Sequence, residues 1–144
     1  MVCLQPITED NYRDAIGITV TEQQQNIIAP VVYSLAQSYV FFPELKPFLI
    51  CDDEQPVGFI LLGVCPEDCE YEVCRLMIDR NHQHKGYGRR AMILAIEYLK
   101  EQGASVIALS HRVDNPDPSA LYLSLGFEYT GVIDGPERLM ELKL

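Results

Sequence analysis

Residues Gln83-His84-Lys85-Gly86-Tyr87-Gly88 follow a β-rich run, Tyr71 to Ile78, and open a helix-like run, Arg89 to Lys100. A strand, a glycine-bearing loop and a helix N-terminus in that order make an anion site. The first N–H groups of a helix lack intrahelical partners, and the macrodipole adds partial positive charge where they converge. Gly86 and Gly88 have no Cβ, so the chain can take positive φ and an anion can approach the backbone closely. The charges agree: 11 Lys+Arg stand against 21 Asp+Glu, a net charge of −10, yet Arg75, Arg80, Lys85, Arg89 and Arg90 all fall in this one stretch. Solvated helix-start charges would account for the cations alone equally well; the glycines and the preceding strand tip the balance toward a local anionic ligand.

The elements that must position this loop can be read in order. Val2 to Ile7 alternates like a first strand, and Thr8 can cap a helix over Glu9 to Gly17 with acids in its first turn. A second helical region spans Glu22 to Phe41, interrupted or kinked at Pro30. Phe48 to Asp52 and Val57 to Val64 read as a hairpin around a polar turn, and Cys65 to Glu70 is an acidic turn into the Tyr71 strand. The helix after the loop carries Met92, Ala95, Ile96 and Leu99 on one face and closes at Gly103. Ala104 to Ser110 is a further strand, Pro116 to Leu125 a short helix, and Phe127 to Val132 with Arg138 to Leu144 a terminal hairpin. No repeat or linker divides residues 1–144, which predicts a single α+β domain with a mixed, mostly antiparallel sheet.

Composition narrows the classes. Hydrophobic content of 48% and charged content of 22% are those of a soluble globular chain, and no apolar run approaches a membrane span. The start Met-Val-Cys-Leu-Gln-Pro has no signal-peptide character, so the expected location is cytoplasmic, with no membrane partner. Acidity argues against nucleic acid and suits a cationic substrate. The five cysteines, Cys3, Cys51, Cys65, Cys69 and Cys74, are expected as reduced thiols, and no spacing predicts a metal site.

The stretch Arg75-Leu-Met-Ile-Asp-Arg-Asn-His-Gln-His-Lys-Gly-Tyr-Gly88 resembles the acetyl-CoA-binding segment of the GNAT superfamily of N-acetyltransferases. Asn115 followed by Ala120-Leu121-Tyr122 and Leu125-Gly126-Phe127 is similar to that family's second segment. Within the family, Glu22-Gln23-Gln24, Ala29-Pro30, Ser34-Leu35-Ala36, Arg75 to Asp79 and Thr130 to Gly135 look like the bacterial spermine/spermidine (diamine) acetyltransferases. Among the departures, His84 stands where many members carry glycine. The resemblance implies a GNAT fold, an α/β (α+β) architecture with about seven mostly antiparallel strands flanked by about four helices. It implies acetyl-CoA as cosubstrate, no metal, a small cationic amine as acceptor and, as related folds often pair, a possible homodimer.

The resemblance also assigns roles. The diphosphate of CoA would rest on the loop of Gln83, His84, Lys85, Gly86, Tyr87 and Gly88, with Arg89 beside it, and the pantetheine arm would pair along Leu76, Met77 and Ile78. Asn115 would hydrogen-bond that arm, or serve only as a turn residue before Pro116. Tyr122 is the candidate acid for the departing thiolate, against a plain packed aromatic. Glu72 is the base that takes the ammonium proton, a charge that binds it, or a plain solvent-facing strand acid, and Glu22 and Glu44 would add acids to the acceptor groove. His111 carries no motif and reads as a loop or core histidine. A polyamine such as spermidine or spermine is the first reading of the acceptor. A protein N-terminus, an amino acid, an aminoglycoside-like amine, or a non-catalytic acyl-CoA-sensing role are the alternatives.

Overall fold

The computed structural model describes residues 1–113 and 118–144. Its elements are β1 (Val2–Pro6), α1 (Tyr12–Ile16), α2 (Glu22–Gln25), α3 (Val31–Val40), β2 (Leu45–Asp52), β3 (Gln55–Cys65), β4 (Glu70–Ile78), α4 (Tyr87–Glu101), β5 (Val106–Arg112), α5 (Ser119–Ser124), β6 (Glu128–Asp134) and β7 (Glu137–Lys143). One seven-stranded sheet runs in the order β1-β2-β3-β4-β5-β7-β6. Every neighbouring pair is antiparallel except β4 with β5. This is the mixed, mostly antiparallel sheet expected, flanked by five α-helices among the described residues.

Two apolar layers sandwich the sheet. On one face Ile60, Leu62 and Val73 pack with Met92 and Leu99 of α4 and with Phe127. On the other, Leu49, Phe59, Leu61 and Met77 pack with Ala15 of α1 and Val31 of α3. Covered on both sides, β3 is buried without a break from Val57 to Val64, which is why it reads as a continuous apolar run and not an alternating one.

Some boundaries move for identifiable reasons. The helix expected from Glu9 begins only at Tyr12. Thr8 N–H instead donates to Asn11 Oδ1 (2.7 Å) and Asp10 N–H to Thr8 Oγ1 (3.2 Å), a local side-chain turn that outcompetes helix. The Glu22 to Phe41 region is two helices, with Pro30 at the N-cap of α3, where its missing N–H costs nothing. β5 extends to Arg112, so His111 belongs to a strand and not to a loop. The helix expected from Pro116 to Leu125 is observed over Ser119–Ser124; Asn115 lies outside the described residues.

Two irregularities of β4 matter most. Between β3 and β4 the register passes from Leu62↔Val73 to Leu61↔Arg75, leaving Cys74 as the extra residue of a bulge. Between β4 and β5 only Glu72↔Ala108 and Val73↔Leu109 pair. Beyond those pairs the two parallel strands part, and the sheet opens into a wedge.

Candidate active site

A cavity of about 730 Å³ fills the wedge, from the loop before α4 to β5 and α5. Leu76, Ile78, Gln83, His84, Gly86, Tyr87, Gly88 and Arg89 line it, as does Tyr122. Met77 points the other way into the opposite core and is 3% exposed; in an extended strand neighbours alternate faces, so Met77 contributes only its backbone to this side. Lys85 is exposed outside the lining.

The loop is shaped from both ends. Asp79 accepts from Thr19 N–H (3.0 Å) through Oδ1 and from Asn81 N–H (3.1 Å) through Oδ2, turning the chain out of β4. Gln83 donates through Nε2 to the Ile78 carbonyl (3.0 Å) and to Gln24 Oε1 (2.8 Å). Its side chain thus ties the loop to strand and α2 and leaves the backbone for a ligand. Arg90 donates to the Lys85 carbonyl (2.9 Å) and lies 5.0 Å from the centre of the Tyr87 ring, so this cation braces the loop. Tyr87 in turn donates to Asp52 (2.7 Å), which holds that carboxyl below its usual range. Gly86, at φ +82°, is the N-cap of the 15-residue α4 and takes the left-handed conformation that side chains resist.

His84 takes the left-handed conformation too, at φ +63°, where it carries a Cβ. His84→Gly is therefore expected to relieve about 1 kcal/mol of backbone strain and raise the melting temperature by about 3 °C. A thermal scan checks it; no change or a decrease rejects the strain assignment.

Arg75, on β4 beside the bulge, lines the wedge, but its guanidinium bonds to α3 and not to the loop. It donates to Ser34 Oγ (3.2 Å) and to Gln37, and its guanidinium sits 5.5 Å from the Tyr33 ring centre. These contacts anchor β4 to the helix across the second core. Arg89 donates to Ser124 Oγ (2.7 Å), joining α4 to α5.

Tyr122 is 9% exposed, and burial pushes its phenol up to about 12. Phe127 meets its ring edge-on at 6.1 Å and His111 lies tilted at 6.1 Å. His111, 5% exposed, lines the same cavity, which its sequence context gave no way to see.

A second cavity, of about 420 Å³, adjoins along β4 and is lined by Glu44, Glu70, Glu72 and Glu141 together with Gly63 and Ala108. Glu72 and Glu44 are thereby brought together, whereas Glu22 lies at the start of α2 and lines neither cavity. Gly63 pairs with Glu72, and a Cβ there would stand 3.0 Å from Glu72 Cγ; glycine leaves the space into which the carboxylate folds. Cys74 donates to Glu72 Oε1 (3.3 Å), and burial first, then the Glu72 charge, keeps its thiol protonated far above the ordinary range. No three His, Cys, Asp or Glu among the described residues are grouped to hold a metal, and no described helix is long and apolar enough to cross a membrane.

This geometry can be set beside known proteins. The profile of the acetyltransferase (GNAT) family matches residues 10–127, well over half the chain. The chain belongs to that family. As an acetyltransferase it is 26% identical over 140 residues to a probable spermine N(1)-acetyltransferase of Bacillus subtilis subsp. natto, covering 91% of this chain and 90% of that one. It is 29% identical over 105 residues to an uncharacterized N-acetyltransferase of Methanocaldococcus jannaschii, covering 65% of this chain but 44% of that longer protein. Among solved structures, spermidine N-acetyltransferase from Vibrio cholerae in complex with CoA and spermine matches with a TM-score of 0.79 at 18% identity, over 99% of this chain and 95% of that one. The PaiA N-acetyltransferase of Thermoplasma acidophilum in complex with coenzyme A matches with a TM-score of 0.77 at 17% identity, over 100% of this chain and 99% of that one. At these identities the structural likeness speaks for the fold.

Proposed function

We propose that this acetyltransferase moves an acetyl group from acetyl-CoA to a primary amine of a polyamine such as spermidine or spermine. The observation that carries the reading is the adjacency of two unlike cavities on one strand. Val73 and Cys74 line the wedge, and Glu70 and Glu72, just before them, line the acidic cavity. A thioester held in the wedge and an ammonium drawn to the acids would meet at the bulge.

The residues divide the work as follows. The backbone amides of His84 to Gly88, at the positive end of α4, would hold the diphosphate, with Arg89 at the rim. The open edge of β4 at Leu76 to Ile78 would accept the pantetheine amides as an added strand. A bulge N–H at Cys74 or Arg75 would polarise the thioester carbonyl, a contribution of about 3 kcal/mol. Tyr122, fully protonated at neutral pH, would give its proton to the departing thiolate. Glu72 would accept the proton that a protonated amine must lose before it attacks. Glu44, and with it Glu70 and Glu141, would align the remaining ammonium groups of a polycation. The likeness to the Bacillus relative, a probable spermine N(1)-acetyltransferase, supports the same choice of acceptor.

The test is thiol release from acetyl-CoA across spermidine, spermine, simple monoamines, amino acids, peptide N-termini and an aminoglycoside. The expected result is kcat/KM for the polyamines at least about tenfold above that for monoamines, the effect of one or two added charge contacts. Good rates elsewhere with none on any polyamine would reject the acceptor while leaving acetyl transfer in place.

A further inference from the structure

We propose that Asp52, which lies outside the wedge, is a positioning residue for acetyl-CoA: through Tyr87 it sets the backbone amides at the start of α4 that take the diphosphate. The inference rests on the reading of that loop as the diphosphate cradle.

The cradle is a difficult shape to keep. His84 and Gly86 are both left-handed, at φ +63° and φ +82°, which lets N–H groups on either side of Lys85 turn inward on an anion. For a residue with a Cβ, such as His84, backbone in that region persists only where its surroundings hold it. Gln83 secures the front of the loop, through the Ile78 carbonyl and Gln24. The back, from Lys85 to Tyr87, has a different anchor.

That anchor runs outward to the sheet. Arg90 donates to the Lys85 carbonyl at 2.9 Å, and its guanidinium lies 5.0 Å from the centre of the Tyr87 ring. His82, from the front of the loop, meets the same ring edge-on at 6.3 Å. The Tyr87 ring thus touches both ends of the loop, and where it sits decides where they sit. Its hydroxyl donates to Asp52 Oδ2 at 2.7 Å, at the end of β2 and 35 residues away in sequence. The bond is charge-assisted: it draws the carboxyl below its usual range and raises the phenol above its own. Tyr87 lines the wedge and Asp52 does not, so the carboxylate can fix the loop without meeting the charge of the ligand.

Asp52 also holds the Met1 ammonium at 3.2 Å, and Asp53 holds it at 2.6 Å. Asp53→Asn therefore disturbs the terminus while leaving the Tyr87 bond in place, and it serves as the control.

The experiment measures kcat and KM with two acyl donors, on whichever amine the wild type acetylates fastest. One donor is acetyl-CoA; the other is S-acetylpantetheine, which has the thioester and the arm but no diphosphate. The variants are Tyr87→Phe, Asp52→Ala, the two combined, and Asp53→Asn. The expected result for each of the first two is a rise in KM for acetyl-CoA of about fivefold to tenfold, with kcat and the kcat/KM for S-acetylpantetheine within about twofold of wild type. The combined variant should match either single one within about twofold, because each removes the same bond. Asp53→Asn should behave as wild type. A merely structural loss would lower rates with both donors alike and track a lowered melting temperature, and that result overturns the proposal. So does an unchanged KM for acetyl-CoA in both single variants, a combined effect equal to the product of the two, or the same loss in Asp53→Asn. Should Asp52→Ala fail to fold, Tyr87→Phe decides, since it keeps the ring and loses one oxygen. A wild type that uses the two donors equally well rejects the cradle and this proposal with it. A wild type that prefers acetyl-CoA by about 100-fold, with variants that keep the whole of that preference, rejects the role of Asp52 alone. Equilibrium binding of CoA against pantetheine gives the same comparison whatever the acceptor, so failure of the polyamine reading leaves it standing.

Discussion

Tyr122→Phe is expected to lower kcat by about 100-fold to 1,000-fold while acetyl-CoA binding stays within about twofold of wild type. The phenol is a buried donor in the wedge, its ring held between two others, Phe127 and His111, each at 6.1 Å. Phenylalanine keeps that stack and loses only the oxygen, so folding should survive. The phenol is pushed up to about 12 by desolvation, so in the folded protein it remains a donor across the neutral and mildly alkaline range. The same shift has a consequence for stability, with a definite sign. Above pH 10 the unfolded chain releases this proton while the folded chain keeps it, so stability falls as pH rises from about 10 to about 12 and then levels. Tyr122→Phe should lack that part of the alkaline loss. Steady-state kinetics with thiol detection, equilibrium binding, and denaturant titrations at pH 9 and pH 11 check both halves. Unchanged kcat with normal binding would remove Tyr122 from the chemistry.

Glu72→Gln is expected to lower kcat by about 100-fold on every amine, the scale of a lost proton acceptor. Glu44→Gln should act differently, raising KM for spermine and spermidine by about threefold with kcat held, the scale of one solvent-exposed charge contact. The contrast follows from their places. Glu72 sits on β4 one residue before the wedge lining begins, folded over Gly63 and receiving the Cys74 thiol. Glu44 lies across the acidic cavity, before β2. A Glu72→Gln variant with normal kcat and raised KM for polyamines alone would make Glu72 a binding charge, and the base would have to be sought elsewhere. Kinetics on one monoamine and two polyamines separate these outcomes.

Much of this arrangement could be read from the chain because it is built from local signals. The phosphate-type loop needs a strand, glycines and a helix start within a few residues, and Gly86 and Gly88 announce it. Pro30 marks the break before α3 for an equally local reason. What escaped depends on pairing between distant segments. The bulge at Cys74 exists only in the register of β3 against β4, and nothing in Val73-Cys74-Arg75 shows it. Arg75 looked like part of a basic island, yet its contacts are Ser34 and Gln37 on α3. Glu22, Glu44 and Glu72 were grouped by charge; the fold gathers Glu44 and Glu72 and leaves Glu22 apart because α2 serves the loop side, through Gln24 and Gln83. His111 escaped because its partner Tyr129 comes from another strand and because β5 runs two residues past its expected end.

The parting of β4 from β5 means that the protein leaves its own sheet unfinished at the point where a peptide-like ligand could complete it. Occupancy and folding are then one thermodynamic account: a ligand that binds only the native form at 100 times its dissociation constant adds about 2.7 kcal/mol of stability. The firmness of the molecule's centre would rise and fall with the supply of its acyl donor, making cellular metabolic state a determinant of how long each copy survives heat or proteolysis.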